Sequence, residues 1–344
     1  MLYGKYFSLC VLSCLLFLKS TTVYGFIDPI TGALAVGAFV SGYFITKSNF
    51  RPTIPNLYYF YGGCPNTFDI KELERAMEKS FFGQHIATKI VLSALAGNLY
   101  RSKSNKKPLV MCFQGRTGSG KNFLSEIIVN HMFNSDKVKE LRYHIVHGRS
   151  DFVYQSKFNV YKEKLYNDVK SAIKSCGTNV FVFDEIHYIP MGILDILIPI
   201  LENNDMSVDS RNSIFIFLTN AGADAIVTKY LDLWNNGISR ESMKIQDFDT
   251  ILQKSVFNEE GGLMKSEIID SHIIDYYVPF LPLEKIHVVK CIEAEFKNLK
   301  KHLDAKTKSE ILQMITFGPE PYNLFSNSGC KRINHFVASQ TIKF

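Results

Sequence analysis

The run Gly115-Arg116-Thr117-Gly118-Ser119-Gly120-Lys121-Asn122 has the residue types and spacing of a phosphate-binding loop. Gly115, Gly118 and Gly120 allow the tight backbone path that turns successive N–H groups toward an anion, and Lys121 reaches the outer phosphates. The last position normally carries Ser or Thr, whose hydroxyl holds a magnesium ion. Asn122 stands there instead; its amide oxygen still ligates a hard cation, but it is neutral, longer and differently aimed. A glycine-rich turn that binds nothing has the same composition. Context separates the two: Leu109 to Phe113 reads as a short buried strand and Phe123 to Phe133 as a helix, the order of strand, loop and helix that the chemistry requires.

A nucleotide held there needs a metal ligand and a base. The apolar run from Val180 to Phe183 leads into Asp184 and Glu185, and neighbours on a strand point to opposite faces, so the two acids take separate roles. Asp184 is expected to hold magnesium largely through water, and Glu185 to orient and deprotonate the attacking water. An ordinary charged strand end accounts for one acid and poorly for this pair. Ser213 to Thr219 is a further apolar run followed by Asn220, which contacts a γ-phosphate or the lytic water if the two strands are neighbours and is otherwise a turn residue. Lys331, in Ser328-Gly329-Cys330-Lys331-Arg332 ahead of a last apolar segment, reaches a phosphate from a helix start or is simply solvated.

These residues need a scaffold that gathers them. Leu73 to Tyr100 repeats apolar residues at helical spacing, with a break at Phe81 to His85. Strands are expected at Tyr143 to His147, Val180 to Asp184, Ser213 to Thr219 and Tyr276 to Leu281, with helical segments such as Tyr161 to Ser175 and Gly192 to Glu202 between them. Such alternation predicts an α/β fold, a parallel sheet flanked by helices. After Pro282 the pattern turns helical, Leu283 to Leu303 and Thr307 to Phe317, so a small helical domain over 283–344 is expected beside a large nucleotide-binding domain over 47–282.

Composition sets the outer bounds. The chain has 344 residues, 46% of them hydrophobic, enough for a sizeable core. Its net charge of +6 is spread over 39 basic and 33 acidic residues with no basic block, which argues against nucleic acid as a partner. Lys5 precedes an apolar run from Tyr6 to Leu18, and Val23-Tyr24-Gly25 supplies a small-residue cleavage pattern, so 1–25 reads as a secretory signal, with an uncleaved anchor as the alternative. A second uncharged stretch, Pro29 to Thr46, reads within a membrane-associating segment over 26–46: a span, a helix or hairpin in one leaflet, or a core helix. Removal of the signal leaves Cys64, Cys112, Cys176, Cys291 and Cys330 in a compartment that permits disulfides. Cys112 lies in an apolar strand and reads as core, while the other thiols allow three pairings, Cys64 with Cys176 and Cys291 with Cys330 among them.

Taken together, these elements resemble the AAA+ ATPases, and in detail the torsins: the loop ending in Asn122, Phe181-Val-Phe-Asp184-Glu185-Ile-His-Tyr-Ile-Pro190, Ile214-Phe-Ile-Phe-Leu-Thr-Asn220-Ala-Gly-Ala223, Asp275-Tyr-Tyr-Val-Pro-Phe-Leu-Pro-Leu-Glu284 and Ser328-Gly-Cys-Lys-Arg-Ile333. The resemblance runs from about residue 26 to the end. It implies ATP and magnesium as ligands, Asp184 and Glu185 as the acidic pair, Asn220 and Lys331 as sensors of the phosphates, and Phe82-Gly83-Gln84-His85 as the border of the adenine. It also implies an endoplasmic-reticulum-lumen and perinuclear location, peripheral membrane association, and an Asn at the last loop position that marks membership rather than decay. Clp-type relatives carry an arginine ahead of the last strand of the large domain that reaches a neighbouring subunit; here Ile273 holds that place. Torsins pair with membrane-anchored cofactors whose lumenal domains donate an arginine, and the same is expected here, within a homo- or hetero-oligomer, for chaperone-like remodelling of membrane-linked assemblies. A Cys291–Cys330 bridge next to Lys331 would couple redox state to nucleotide sensing, against the alternative of two buried thiols. Two other functions stay open: a nucleotide-gated binding module with incidental turnover, and a cytosolic Clp-type unfoldase, which would need an uncleaved N-terminus and a Gly-aromatic-Val loop, where His147 to Phe158 has Phe152 and Tyr154 but no such tripeptide.

Overall fold

A computed structural model of the protein describes residues 68–341 apart from 103 and 134, all within one compact unit. The signal over 1–25, the apolar segment over 26–46 and Cys64 lie outside the described residues. Among the described residues no helix is long and apolar enough to cross a membrane.

Strands β1 (Leu109–Gly115), β2 (Tyr143–His147), β3 (Val180–Asp184), β4 (Ile214–Thr219) and β5 (Tyr276–Phe280) form one parallel sheet in the order β2-β3-β4-β1-β5. The inner strands read as unbroken apolar runs because helices cover both faces, which is the rule for parallel sheets. Alternate side chains divide between two cores. On one face Val110, Cys112, Phe181, Phe183, Phe215 and Phe217 pack against Leu165, Val169 and Ile173 of a helix over Phe158–Ser175. On the other, Met111, Phe113, Val182, Ile216 and Leu218 meet helices Ile70–Ser80, His85–Tyr100 and Lys121–Met132. Cys112 is buried with a free thiol, as an apolar strand residue should be.

β4 pairs with β3 on one side and β1 on the other, so the expected neighbourhood of Asn220 and Asp184 exists. Elsewhere the elements differ in detail from the sequence reading. The stretch from Gly192 to Glu202 is two short turns, Leu194–Leu197 and Ile198–Leu201, with Pro199 at the start of the second. Residues 223–258, to which the sequence reading gave no element, carry helices Ala223–Asn235 and Asp249–Asn258. The tail is not helical throughout: after helices Lys285–Asn298 and Ala305–Gln313, Phe317–Gly318 pairs antiparallel with Phe325–Ser326 before the helix Ile333–Thr341. These last helices share a separate apolar cluster built on Val288, Ile292, Phe296, Ile311, Ile333 and Val337.

Candidate nucleotide site

The C-terminal ends of parallel strands meet at one edge of the sheet, and ligands of open α/β sheets bind in the crevice there. β1 runs into the glycine loop, β3 into Asp184 and Glu185, and β4 into Asn220. All of these border a cavity of about 820 Å³, together with Lys331, Cys291 and Cys330 from the C-terminal segment.

Lys121 opens its helix after Gly120, which sits in the left-handed region at φ 107 with no side chain capping the helix start. The residue is 7% exposed, and its ammonium donates to Gly115 O at 2.6 Å, Arg116 O at 3.1 Å and Asn220 Oδ1 at 2.9 Å. Burial pulls its pKa down to about 8, against the carboxylates of Asp184 and Glu185, which raise it, while Lys331 lowers it further. A buried amine held by carbonyls and short of negative charge suits an incoming anion. Ser119 Oγ, in the same loop, is buried without a hydrogen-bond partner. With the free N–H groups of an uncapped helix start beside it, the loop fits a phosphate.

Asn122 Nδ2 donates to Asp184 Oδ2 at 2.7 Å. A carboxylate only accepts, so the amide nitrogen faces Asp184 and the amide oxygen faces away, available to a cation. No cluster of three or more His, Cys, Asp or Glu suited to a metal occurs among the described residues. Asp184 and Asn122 therefore offer what magnesium takes, one or two protein oxygens with the remainder from water and phosphate.

The C-terminal segment lies directly on the loop. Cys330 N donates to Gly118 O at 3.3 Å, and a Cβ on Gly118, at φ 81, would run into the carbonyl of Ser328. A disulfide ties Cys330 to Cys291 on the helix Lys285–Asn298. Cys176 is disulfide-bonded as well.

The remaining sequence candidates are placed less directly. Phe82 borders the cavity, but Gly83, Gln84 and His85 line a neighbouring cavity of about 570 Å³ instead. Gln84 acts from behind: buried, it donates to Ser119 O at 3.0 Å and Leu281 O at 2.8 Å and accepts from Leu281 N, so it braces the loop against the sheet. His85 Nε2 is bonded to Met243 O at 3.0 Å. Arg116 stands at the rim, 3.8 Å from the Asp224 carboxylate, while Thr117 lines the cavity. Ile273 is 2% exposed and packed in the core, so its position serves packing and cannot reach a neighbour.

Three residues escaped the sequence reading. His147 is the register partner of Asp184 and lies 3.9 Å from its carboxylate. Arg149 Nε is 3.5 Å from Glu185 Oε2, and its guanidinium lies over the Tyr188 ring and donates to the Tyr188 hydroxyl at 2.6 Å. His187 Nε2 lies 3.4 Å from Asn220 Nδ2. A predicted parallel strand at Tyr143 to His147 puts its carboxyl end on the same side of the sheet as Asp184, but the pairing of β2 with β3 that brings His147 beside that residue is not written in any local motif.

The chain matches the family model for Torsin over residues 58–183 and that for the Torsin-1A C-terminal domain over residues 283–337. It is 32% identical over 329 residues to a torsin-like protein of Drosophila melanogaster, covering 91% of this chain and 92% of that one. A torsin-like protein of Caenorhabditis elegans is 33% identical over 286 residues, covering 80% and 79%. Among solved structures, an ADP complex of Hsp104 from S. cerevisiae superimposes with a TM-score of 0.56 at 16% identity over 78% of this chain and 46% of that chain. Hsp104 bound to casein in an extended conformation gives 0.55 at 15% identity, over 91% and 55%. The chain thus spans about half the length of the Hsp104 chains, and at that identity the likeness shows the fold alone, that of AAA+ proteins. Kinship to the fly protein across 91% of the sequence decides the lineage: this chain belongs to the torsin family of AAA+ ATPases.

Proposed function

We propose that the protein binds ATP with magnesium in the cavity at the carboxyl ends of β1, β3 and β4, and hydrolyses it when a membrane-anchored partner donates an arginine. Lys121 balances the charge of the outer phosphates, while Asp184 and the amide oxygen of Asn122 hold the metal. A magnesium ion held by these two residues would supply positive charge against the charge that develops on the phosphates. Glu185 takes the proton of the attacking water, and Asn220 orients that water or the γ-phosphate. Lys331 approaches from the C-terminal segment, which the disulfide of Cys291 and Cys330 ties to the helix Lys285–Asn298.

The observation that carries activator dependence is Ile273, 2% exposed in the core where Clp-type relatives project an arginine toward the next subunit. An arginine supplied in trans is worth about 10³–10⁵-fold in rate, so a homo-oligomer without one turns over slowly. The secretory signal and the segment over 26–46 support a site of action in the endoplasmic reticulum lumen and perinuclear space, peripheral to the membrane. Membrane-linked protein assemblies as the material remodelled rest on the torsin resemblance. A large domain over 47–282 and a lid over 283–344 would close on the nucleotide.

The test is ATP turnover by purified protein with and without detergent-solubilised microsomal membranes. Parent protein is expected to be stimulated at least about 10-fold, and Glu185→Gln to stay at background under both conditions. Equal turnover by the two proteins in both conditions rejects the enzyme. One observation favours a second reading, a nucleotide-gated binding module: the carboxylate of Glu185 is paired with Arg149. If that reading holds, Glu185→Gln binds partners in the same ATP-dependent way as the parent, and membranes stimulate neither.

A further inference from the structure

Asn220 has a determined orientation. Lys121 Nζ is a donor without a lone pair and lies 2.9 Å from Asn220 Oδ1, so the amide oxygen faces the lysine and the nitrogen faces away from it. There the nitrogen meets His187 Nε2 at 3.4 Å. An amide nitrogen only donates, so Nε2 holds its lone pair and the ring hydrogen is on Nδ1. A neutral ring agrees with the surroundings: burial lowers the His187 pKa, Glu185 and Asp184 oppose this, and Lys121 and Arg149 add to it.

The backbone of His187 is also held in place, and its ring has a neighbour. Gly261, at φ 142, presses its backbone on the residue, where an added Cβ would lie 2.6 Å from His187 Cα. Gly262 N donates to Ile186 O at 2.9 Å, and the Tyr188 ring centroid lies 4.4 Å from that of His187. His187 borders the same cavity as Lys121, Asp184, Glu185 and Asn220, and its Nδ1 is buried without a partner.

We propose that His187 is a positioning residue for hydrolysis: Nε2 takes one N–H of the Asn220 amide and thereby aims the other into the cavity, toward the γ-phosphate and the attacking water. The inference rests on the ATPase reading above. Lys121 alone pins the amide at its oxygen and leaves the nitrogen free to swing; His187 fixes the second end. Misplacing a catalytic contact by about 1 Å costs as much as ~10²-fold, so losing the acceptor while keeping Asn220 should cost about 10-fold.

The test uses the full chain with ATP and magnesium, stimulated by solubilised microsomal membranes, in parent, His187→Ala, His187→Gln, Asn220→Ala, the Ala/Ala double variant and Glu185→Gln. Gln offers Oε1 to the same amide N–H. Expected are a fall in kcat of about 10-fold in His187→Ala with KM, ATP affinity and melting temperature nearly unchanged, recovery of most of that loss in His187→Gln, and a double variant no slower than Asn220→Ala alone. Equal turnover by His187→Ala and parent while Glu185→Gln is inactive overturns this inference and leaves the ATPase reading standing. Losses that multiply in the double variant, or no recovery with Gln, overturn it as well. If Glu185→Gln matches the parent, the ATPase reading fails and takes the inference with it.

Discussion

Glu185 leaves β3 with φ 52 and ψ 46, in the left-handed region, so the backbone rather than the pleat of the strand aims its carboxylate. Strand alternation therefore does not by itself separate Asp184 from Glu185, because the strand ends at Asp184. A non-glycine residue in that region costs about 1–2 kcal/mol, a local strain at the residue proposed as the base. Gly118 makes a sharper case. It adopts φ 81 with the Ser328 carbonyl where a side chain would go, so Gly118→Ala should displace the C-terminal segment from the loop. ATP affinity measured by calorimetry is expected to drop about 10-fold or more, with the fold intact by circular dichroism. Which glycines matter was legible in the spacing; that Gly118 serves contact with residue 328 was not, since 210 residues separate them in the chain.

Elements were legible where apolar runs were long. β1, β3 and β4 each show four or more consecutive apolar residues and are buried throughout their apolar positions. Phe215, fully buried and stacked at 4.8 Å on Phe181, anchors one face of the sheet, and Phe215→Ala should lower unfolding free energy by about 3–5 kcal/mol in urea titrations. The helix Ala223–Asn235 does repeat apolar residues at helical spacing, with Ile226, Val227 and Tyr230 packed beside Leu252, Leu281 and Phe325, so its omission from the sequence reading has no physical cause in the pattern. The helix Lys285–Asn298 carries a pH dependence. His287 Nδ1 accepts from Glu284 N at the helix start, which needs a neutral ring, and burial followed by Arg240 and Lys290 lowers its pKa to about 4, with Glu241 opposing and His85 adding. The unfolded chain therefore takes up this proton first, near the ordinary histidine value of 6.5. Stability from this group is complete above that value and is lost as pH falls toward the folded value. The urea midpoint should drop between about pH 7 and about pH 5, and His287→Gln should flatten that drop.

At the scale of the whole molecule, the strand ends and the C-terminal segment converge on one cavity, and a covalent link crosses its rim. Cys330 touches the loop through its N–H to Gly118 O and is fastened to Cys291, so opening the bridge should loosen the segment that carries Lys331. Cys291→Ser is expected to change ATP affinity by about 5-fold or more, and reduction of the parent should reproduce the change while leaving Cys291→Ser unaffected. The glycine loop and the acidic pair are legible as local motifs, whereas the sensor roles of Asn220 and Lys331 come from the torsin resemblance. Arg149, His147 and His187 were not legible, because their significance comes from strand order and backbone turns that bring them beside Asp184, Glu185 and Asn220. The central claim is that a nucleotide triphosphate lies between Lys121 and the carboxylates of Asp184 and Glu185. Calorimetric titration with ATP and magnesium tests it most directly: the parent and Glu185→Gln should bind comparably, and Lys121→Ala at least about 100-fold more weakly. Parent-like affinity in Lys121→Ala would contradict it.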